Sequence, residues 1–91
     1  MYAWNHNQLE KRSIEFTRRA VREYKKLPEG YKALIDLALG KLENGGLLDL
    51  KPVIGEKDTF RIRIGKYRIL FILRDKIAIV VKIGSRGDVY K

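Results

Sequence analysis

Arginine gathers in two short stretches that otherwise read as sheet: Phe60-Arg61-Ile62-Arg63-Ile64-Gly65-Lys66-Tyr67-Arg68 and Gly84-Ser85-Arg86. Alternation along a strand sends Phe60, Ile62 and Ile64 to one face and Arg61 and Arg63 to the other. A two-residue turn at Gly65-Lys66 pairs Ile64 with Tyr67 and sets Arg63 opposite Arg68. Like charges directly opposite on one sheet face are destabilising, so the arrangement makes sense where a polyanion is expected. Between Thr59 and Arg74 there are five basic residues and no acidic one. A second two-residue turn places Arg68 opposite Ile83 and brings Arg86 toward the same end of the sheet. The plainer reading is a solvated basic face; the like-charge pairing and the convergence of three segments stand against it.

Arginine suits phosphate. Its planar fork donates two parallel charge-assisted hydrogen bonds to phosphate oxygens. It also keeps its charge while a phosphorane-like transition state builds negative charge. With a pKa above about 12 it makes a poor general base. Tyr90, in Arg86-Gly87-Asp88-Val89-Tyr90, carries a phenol that can stack on a base or take part in proton transfer; equally, it can pack down the chain end. Ser85 has no histidine near it to activate it and reads as a turn serine. Gly84 and Gly87 bracket Arg86 and let the backbone turn there.

The elements that must position these residues are legible from periodicity. Residues 1–12 form a polar N-terminal arm with Tyr2 and Trp4 as its large apolar side chains, and residues 13–91 form one domain. Ser13 to Phe16 reads as a first strand. Thr17 is a good N-cap for a helix running to about Leu27, with Ala20, Tyr24 and Leu27 at helical spacing. Pro28 opens a second helix. There Tyr31, Leu34, Ile35, Ala38, Leu39 and Leu42 form an amphipathic stripe, stopped by Asn44-Gly45-Gly46. Leu47 to Asp58 reads as a loop. Three strands follow, about Thr59 to Ile64, Tyr67 to Arg74 and Ile77 to Ile83, with turns at Gly65-Lys66 and Asp75-Lys76. Tyr67 to Leu73 is apolar on both faces and reads as a central strand. The order β-α-α-β-β-β describes an α+β domain, a helical hairpin against one face of a mostly antiparallel sheet.

Composition narrows the function classes. The chain has 91 residues, room for one modest core. Twenty Lys and Arg against eleven Asp and Glu give a formal net charge of +9, which favours nucleic acid, an anionic surface or an acidic protein partner. There is no cysteine, which removes disulfides and thiolate chemistry and fits a reducing, cytoplasmic location. The one histidine, His6, cannot build a zinc site with scattered carboxylates. No apolar run approaches the roughly 18 residues of a membrane span.

Phe60 through Phe71, followed by Val81-Lys82-Ile83-Gly84-Ser85-Arg86-Gly87-Asp88-Val89-Tyr90, resembles the RelE family of the RelE/ParE toxin superfamily. Ala20…Tyr24-Lys25-Lys26-Leu27-Pro28 is similar to the family's first helix, and the resemblance runs from about Ser13 to Tyr90. It implies a small basic toxin of a type II toxin–antitoxin system. Such a toxin enters the ribosomal A site and cuts messenger RNA with the ribose 2′-hydroxyl as nucleophile, without metal or other cofactor. A cognate antitoxin, whose chain wraps the toxin, holds it inactive.

Carried over by the resemblance, Arg61 and Arg63 bind phosphate and help activate the 2′-hydroxyl. Arg68 stabilises transition-state charge, Arg86 protonates or stabilises the leaving 5′-oxygen, and Tyr90 stacks on RNA and assists proton transfer. Two departures matter. Well-studied active members carry lysines where this chain has Arg61 and Arg63, and a lysine gives up a proton far more readily, so the identity of the base stays open. No histidine lies near the C-terminus, which excludes the variant that uses a histidine base. The alternative readings are a ParE-like inhibitor of DNA gyrase and an RNA-binding homologue weak in catalysis.

Overall fold

Two helices and five strands follow one another in the order β1 (Ser13–Phe16), α1 (Arg18–Lys25), α2 (Glu29–Glu43), β2 (Leu50–Pro52), β3 (Thr59–Ile64), β4 (Tyr67–Arg74) and β5 (Ile77–Ser85). The computed structural model describes residues 11–45 and 50–85. The strands form one sheet in the order β1-β5-β4-β3-β2. β1 runs parallel to β5, and the other pairs are antiparallel. β4 is the middle strand, as its apolar character on both faces requires.

The Thr17 hydroxyl caps α1, accepting from the Ala20 N–H at 3.1 Å. Lys26 and Leu27, expected inside the helix, instead tighten its end through backbone bonds to Glu23 and Tyr24 three residues back. Pro28 then stands at the N-cap of α2. The Tyr24 phenol donates to Asp36 at 2.7 Å, tying the two helices together. That hydrogen bond, aided by burial and by the charges of Asp36 and Glu29, raises the Tyr24 pKa.

Ala20, Leu27, Ile35, Ala38, Leu39 and Leu42 from the helices meet Ile62, Ile69, Phe71, Ala78, Val80 and Ile83 from the sheet in one core. Leu34, part of the α2 stripe by period, is 48% exposed. At about 100° per residue it lies roughly 90° from the axis set by the four buried positions, on the flank of the helix.

Two further differences come from the sheet edges. Leu50–Pro52, expected as loop, pairs with β3 and adds a short edge strand, where a terminal proline is tolerated. β5 runs two residues past Ile83, so Ser85 pairs with Tyr67 in the ladder and is not a turn serine. Of the expected arm, residues 1–10 lie outside the described residues. Arg12 is described, and its N–H donates to the Glu43 carbonyl at 2.8 Å.

The feature that matters most for function is a bulge. β5 pairs Val80 with Phe71 and then Lys82 with Leu70, leaving Val81 as the extra residue. Unbroken alternation from Ala78 and Val80 would bury Lys82 and expose Ile83. The extra residue reverses this: Ile83 enters the core and Lys82 leaves it. Arg68 consequently faces Gly84 and not Ile83, the partner that a regular ladder predicts.

Helix α1 holds the bulge from both ends. The Thr17 N–H donates to the Val80 carbonyl at 3.0 Å, and its hydroxyl reaches the Val81 carbonyl at 3.4 Å. Near the other end of α1, a Glu23 carboxylate oxygen accepts from the Ile83 N–H at 2.8 Å.

Candidate nucleic-acid interface

Phe60, Ile62, Ile64, Tyr67, Ile69 and Phe71 all pack toward the helices. Alternation therefore turns Arg61, Arg63, Arg68 and Leu70 to the face that carries no helix. The register arranges this face in rows. Arg63, Arg68 and Gly84 stand side by side across β3, β4 and β5. The next row is Lys51, Arg61, Leu70 and Lys82, across β2 to β5. Neighbouring strands lie about 4.8 Å apart, and same-face residues along one strand about 7 Å apart. Five cations thus share a patch roughly 15 Å across.

The expected pairing of Arg63 with Arg68 is present. The two differ sharply in surroundings: Arg63 is exposed, whereas Arg68 is 7% exposed. Arg68 is the buried charged residue of the described set, and among the described residues its side chain makes no hydrogen bond or ion pair. An ion removed from water without a partner costs several kcal/mol even after relaxation. The residue directly across on β5 is Gly84. Arg61 is half-buried opposite Leu70.

The turn beside this row is fixed from the other face. Gly65 has φ of +58°, and a Cβ there would lie 3.2 Å from the Tyr31 hydroxyl, so both conformation and space call for glycine. Tyr31 packs edge-on against Tyr67 with ring centroids 4.4 Å apart, and the Lys66 ammonium lies 5.7 Å from the Tyr67 ring. These contacts pin the β3–β4 turn, and with it the Arg63–Arg68 pair.

Of the site residues expected from the sequence, Arg61, Arg63 and Arg68 come together on one face. Arg86 and Tyr90 lie outside the described residues. Lys51 and Lys82 join the basic rows, and sequence reasoning misses both. Lys51 falls in a segment that reads as loop. Lys82 is hidden by the assumption of regular alternation, although a lysine at the position that alternation would bury is itself the signal for a bulge. A cationic face with a buried arginine, unpaired among the described residues, has the donors to bind an oxyanion.

Comparison with known proteins bears on what that oxyanion belongs to. The family model described as the ParE toxin of the type II toxin–antitoxin system parDE matches residues 14–90. RelE1 of Methanocaldococcus jannaschii is 30% identical over 85 residues, covering 87% of this chain and 94% of that protein. Toxin RelG of Mycobacterium tuberculosis is 31% identical over 83 residues, covering 87% and 95%. Among solved structures, the RelB–RelE antitoxin–toxin complex from Methanococcus jannaschii matches with a TM-score of 0.73 and 25% identity, over 84% of this chain and 94% of that one. The toxin–antitoxin complex RelBE2 from Mycobacterium tuberculosis matches with a TM-score of 0.72 and 30% identity, over 85% and 100%. The isolated Escherichia coli RelE toxin, at 22% identity and a TM-score of 0.73, shares the fold. With the family model spanning nearly the whole domain and two curated toxins at this identity, the chain belongs to the RelE family of the RelE/ParE superfamily of type II toxins.

Proposed function

We propose that this protein is a ribosome-dependent messenger-RNA endoribonuclease, held inactive by a cognate antitoxin. The observation that carries the reading is Arg68, buried and, among the described residues, unpaired beside Arg63 and Arg61. In the reaction the ribose 2′-oxygen attacks the adjacent phosphorus and the bond to the 5′-oxygen breaks. The products are a 2′,3′-cyclic phosphate and a 5′-hydroxyl end. The 2′-hydroxyl proton leaves to a base, and the departing 5′-oxygen takes up a proton. Charge builds on the non-bridging oxygens, where Arg68 donates from a desolvated position and Arg61 and Arg63 clamp the phosphate. By resemblance, Arg86 serves the leaving oxygen, and Tyr90 stacks on the RNA and assists proton transfer. None of the arginines is a suitable proton acceptor, so the base is Tyr90, Lys82 or a group of the ribosome. The antitoxin partner is supported by the RelB–RelE and RelBE2 complexes, each of which pairs a similar toxin with its antitoxin.

Brief induction in bacteria followed by mapping of RNA ends tests the reading. Cuts should map to ribosome-occupied codons. Arg68→Ala should lower the cleavage rate by roughly 10²-fold or more, the scale of removing one preorganised oxyanion donor. Growth arrest with intact messages would sink the proposal. It would favour the second reading, a gyrase inhibitor, which the ParE description of the matching family model keeps in view. That reading predicts a DNA-damage response without RNA cuts.

A further inference from the structure

Leu70, Ile72 and Val81 line the helix-free side of the sheet, yet Leu70 is buried and the other two are half-buried. The segment after β2 lies over part of this side. The Val53 N–H donates to the Thr59 carbonyl at 2.9 Å, and the Glu56 N–H donates to the Val53 carbonyl at 3.2 Å, folding the segment back against the strands. Between segment and sheet lies a cavity of 340 Å³, walled by Leu70, Ile72 and Val81 and lined also by Ile54, Glu56 and Lys82. Ile54 is 98% exposed, an apolar side chain at a cavity that nothing in the described residues covers.

The cavity is continuous with the arginine rows. Leu70 stands between Arg61 and Lys82 across the strands, and two residues along β4 from Arg68, about 7 Å. A polynucleotide whose phosphate sits at Arg68 carries a neighbouring base to this distance. The size lies near the lower end of small-molecule sites, which start at about 300 Å³. Apolar walls suit the faces of a flat ring. The charged lining residues are of opposite type: the Glu56 carboxylate only accepts hydrogen bonds, and the Lys82 ammonium only donates. Adenine, cytosine and guanine offer an exocyclic amino group to a carboxylate and a ring or carbonyl acceptor to an ammonium. Uracil offers Glu56 only its N3–H, flanked by two carbonyl oxygens that repel the carboxylate, a poorer fit than an exocyclic amino group.

We infer that this cavity is a nucleobase pocket: it holds a base flanking the phosphate clamped at Arg68 and selects bases with an exocyclic amino group over uracil. The inference rests on the ribonuclease reading, and the experiment separates the two. Purified full-length protein is incubated with ribosomes carrying messages randomised around the A site, and RNA ends are sequenced. Wild-type cuts should show uracil depleted about fivefold at one fixed offset from the cut, the scale of a single missing hydrogen bond. Glu56→Ala and Ile72→Phe should each bring uracil at that offset back toward its input frequency, the first by removing the acceptor and the second by filling the slot. Glu56 is exposed, so its variant keeps the test valid if Ile72→Phe folds poorly. Cuts whose base profile is unchanged in Glu56→Ala overturn the pocket alone and leave the nuclease reading intact. A wild-type protein that leaves every message uncut overturns both.

Discussion

Arg68 is where fold and function pull against each other. It is buried with no side-chain partner among the described residues, on a strand otherwise apolar from Ile69 to Leu73. Replacing a buried charged group by an apolar side chain of similar length is often stabilising, by roughly 1–4 kcal/mol. Arg68→Met should therefore raise the free energy of unfolding by about 1–3 kcal/mol, read as a higher midpoint in urea with an unchanged slope, while cleavage falls to background. A destabilised Arg68→Met would mean that the guanidinium is part of the fold's own bonding, and the oxyanion reading would lose its main support. Alternation and one turn are enough to set Arg61, Arg63 and Arg68 on one face. Which of the facing arginines is buried is not legible in the sequence, because alternation and the turn treat Arg63 and Arg68 alike.

At the scale of elements, the bulge in β5 decides how the site is built. Helices, strands and both tight turns follow from period and punctuation, and the central place of β4 follows from its apolar character on both faces. What local pattern leaves out is the register of β5, the edge strand β2 and the partial exposure of the α2 stripe. The β5 register depends on contacts distant in sequence. Glu23 meets Ile83 sixty residues away, and Thr17 meets Val81 sixty-four residues away. If α1 holds the bulge in place, removing the Glu23 acceptor should both weaken the fold and shift the β5 register beside Arg68. Glu23→Ala leaves the Ile83 N–H without its partner and should cost about 1–3 kcal/mol, the penalty of an unsatisfied buried donor. Glu23→Gln keeps an acceptor and should recover most of that stability. Amide exchange at Ile83 reads the effect locally: it should quicken strongly in the alanine variant and little in the glutamine one. Equal protection of Ile83 in both would show that the bulge is set by the strands themselves.

At the scale of the whole molecule, the question is whether the net charge of +9 binds RNA as a diffuse field or through a built track. The two differ in their response to salt. A diffuse field weakens a little with every cation removed, wherever it sits, and is screened over about 10 Å at 0.1 M. A track of direct phosphate contacts releases counterions one phosphate at a time. On a single strand, each phosphate left unneutralised lowers the slope of log affinity against log salt by about 0.7. Binding to a short RNA blocked by a 2′-deoxy substitution at the cut site isolates this step from cleavage. Arg61→Gln combined with Arg63→Gln should lower the slope by about 1.4. Arg22, exposed on α1 and so on the helix side, is the control: Arg22→Gln removes one charge from the same total and should leave the slope within about 0.2 of wild type if only the sheet face touches phosphate. Fluorescence anisotropy across a series of salt concentrations measures both. A decrease shared equally between Arg22 and the sheet arginines would make the binding a property of net charge and remove the case for an ordered phosphate path over β3 and β4. A slope that drops for the sheet pair alone would fix the RNA to the face on which Arg68 is buried.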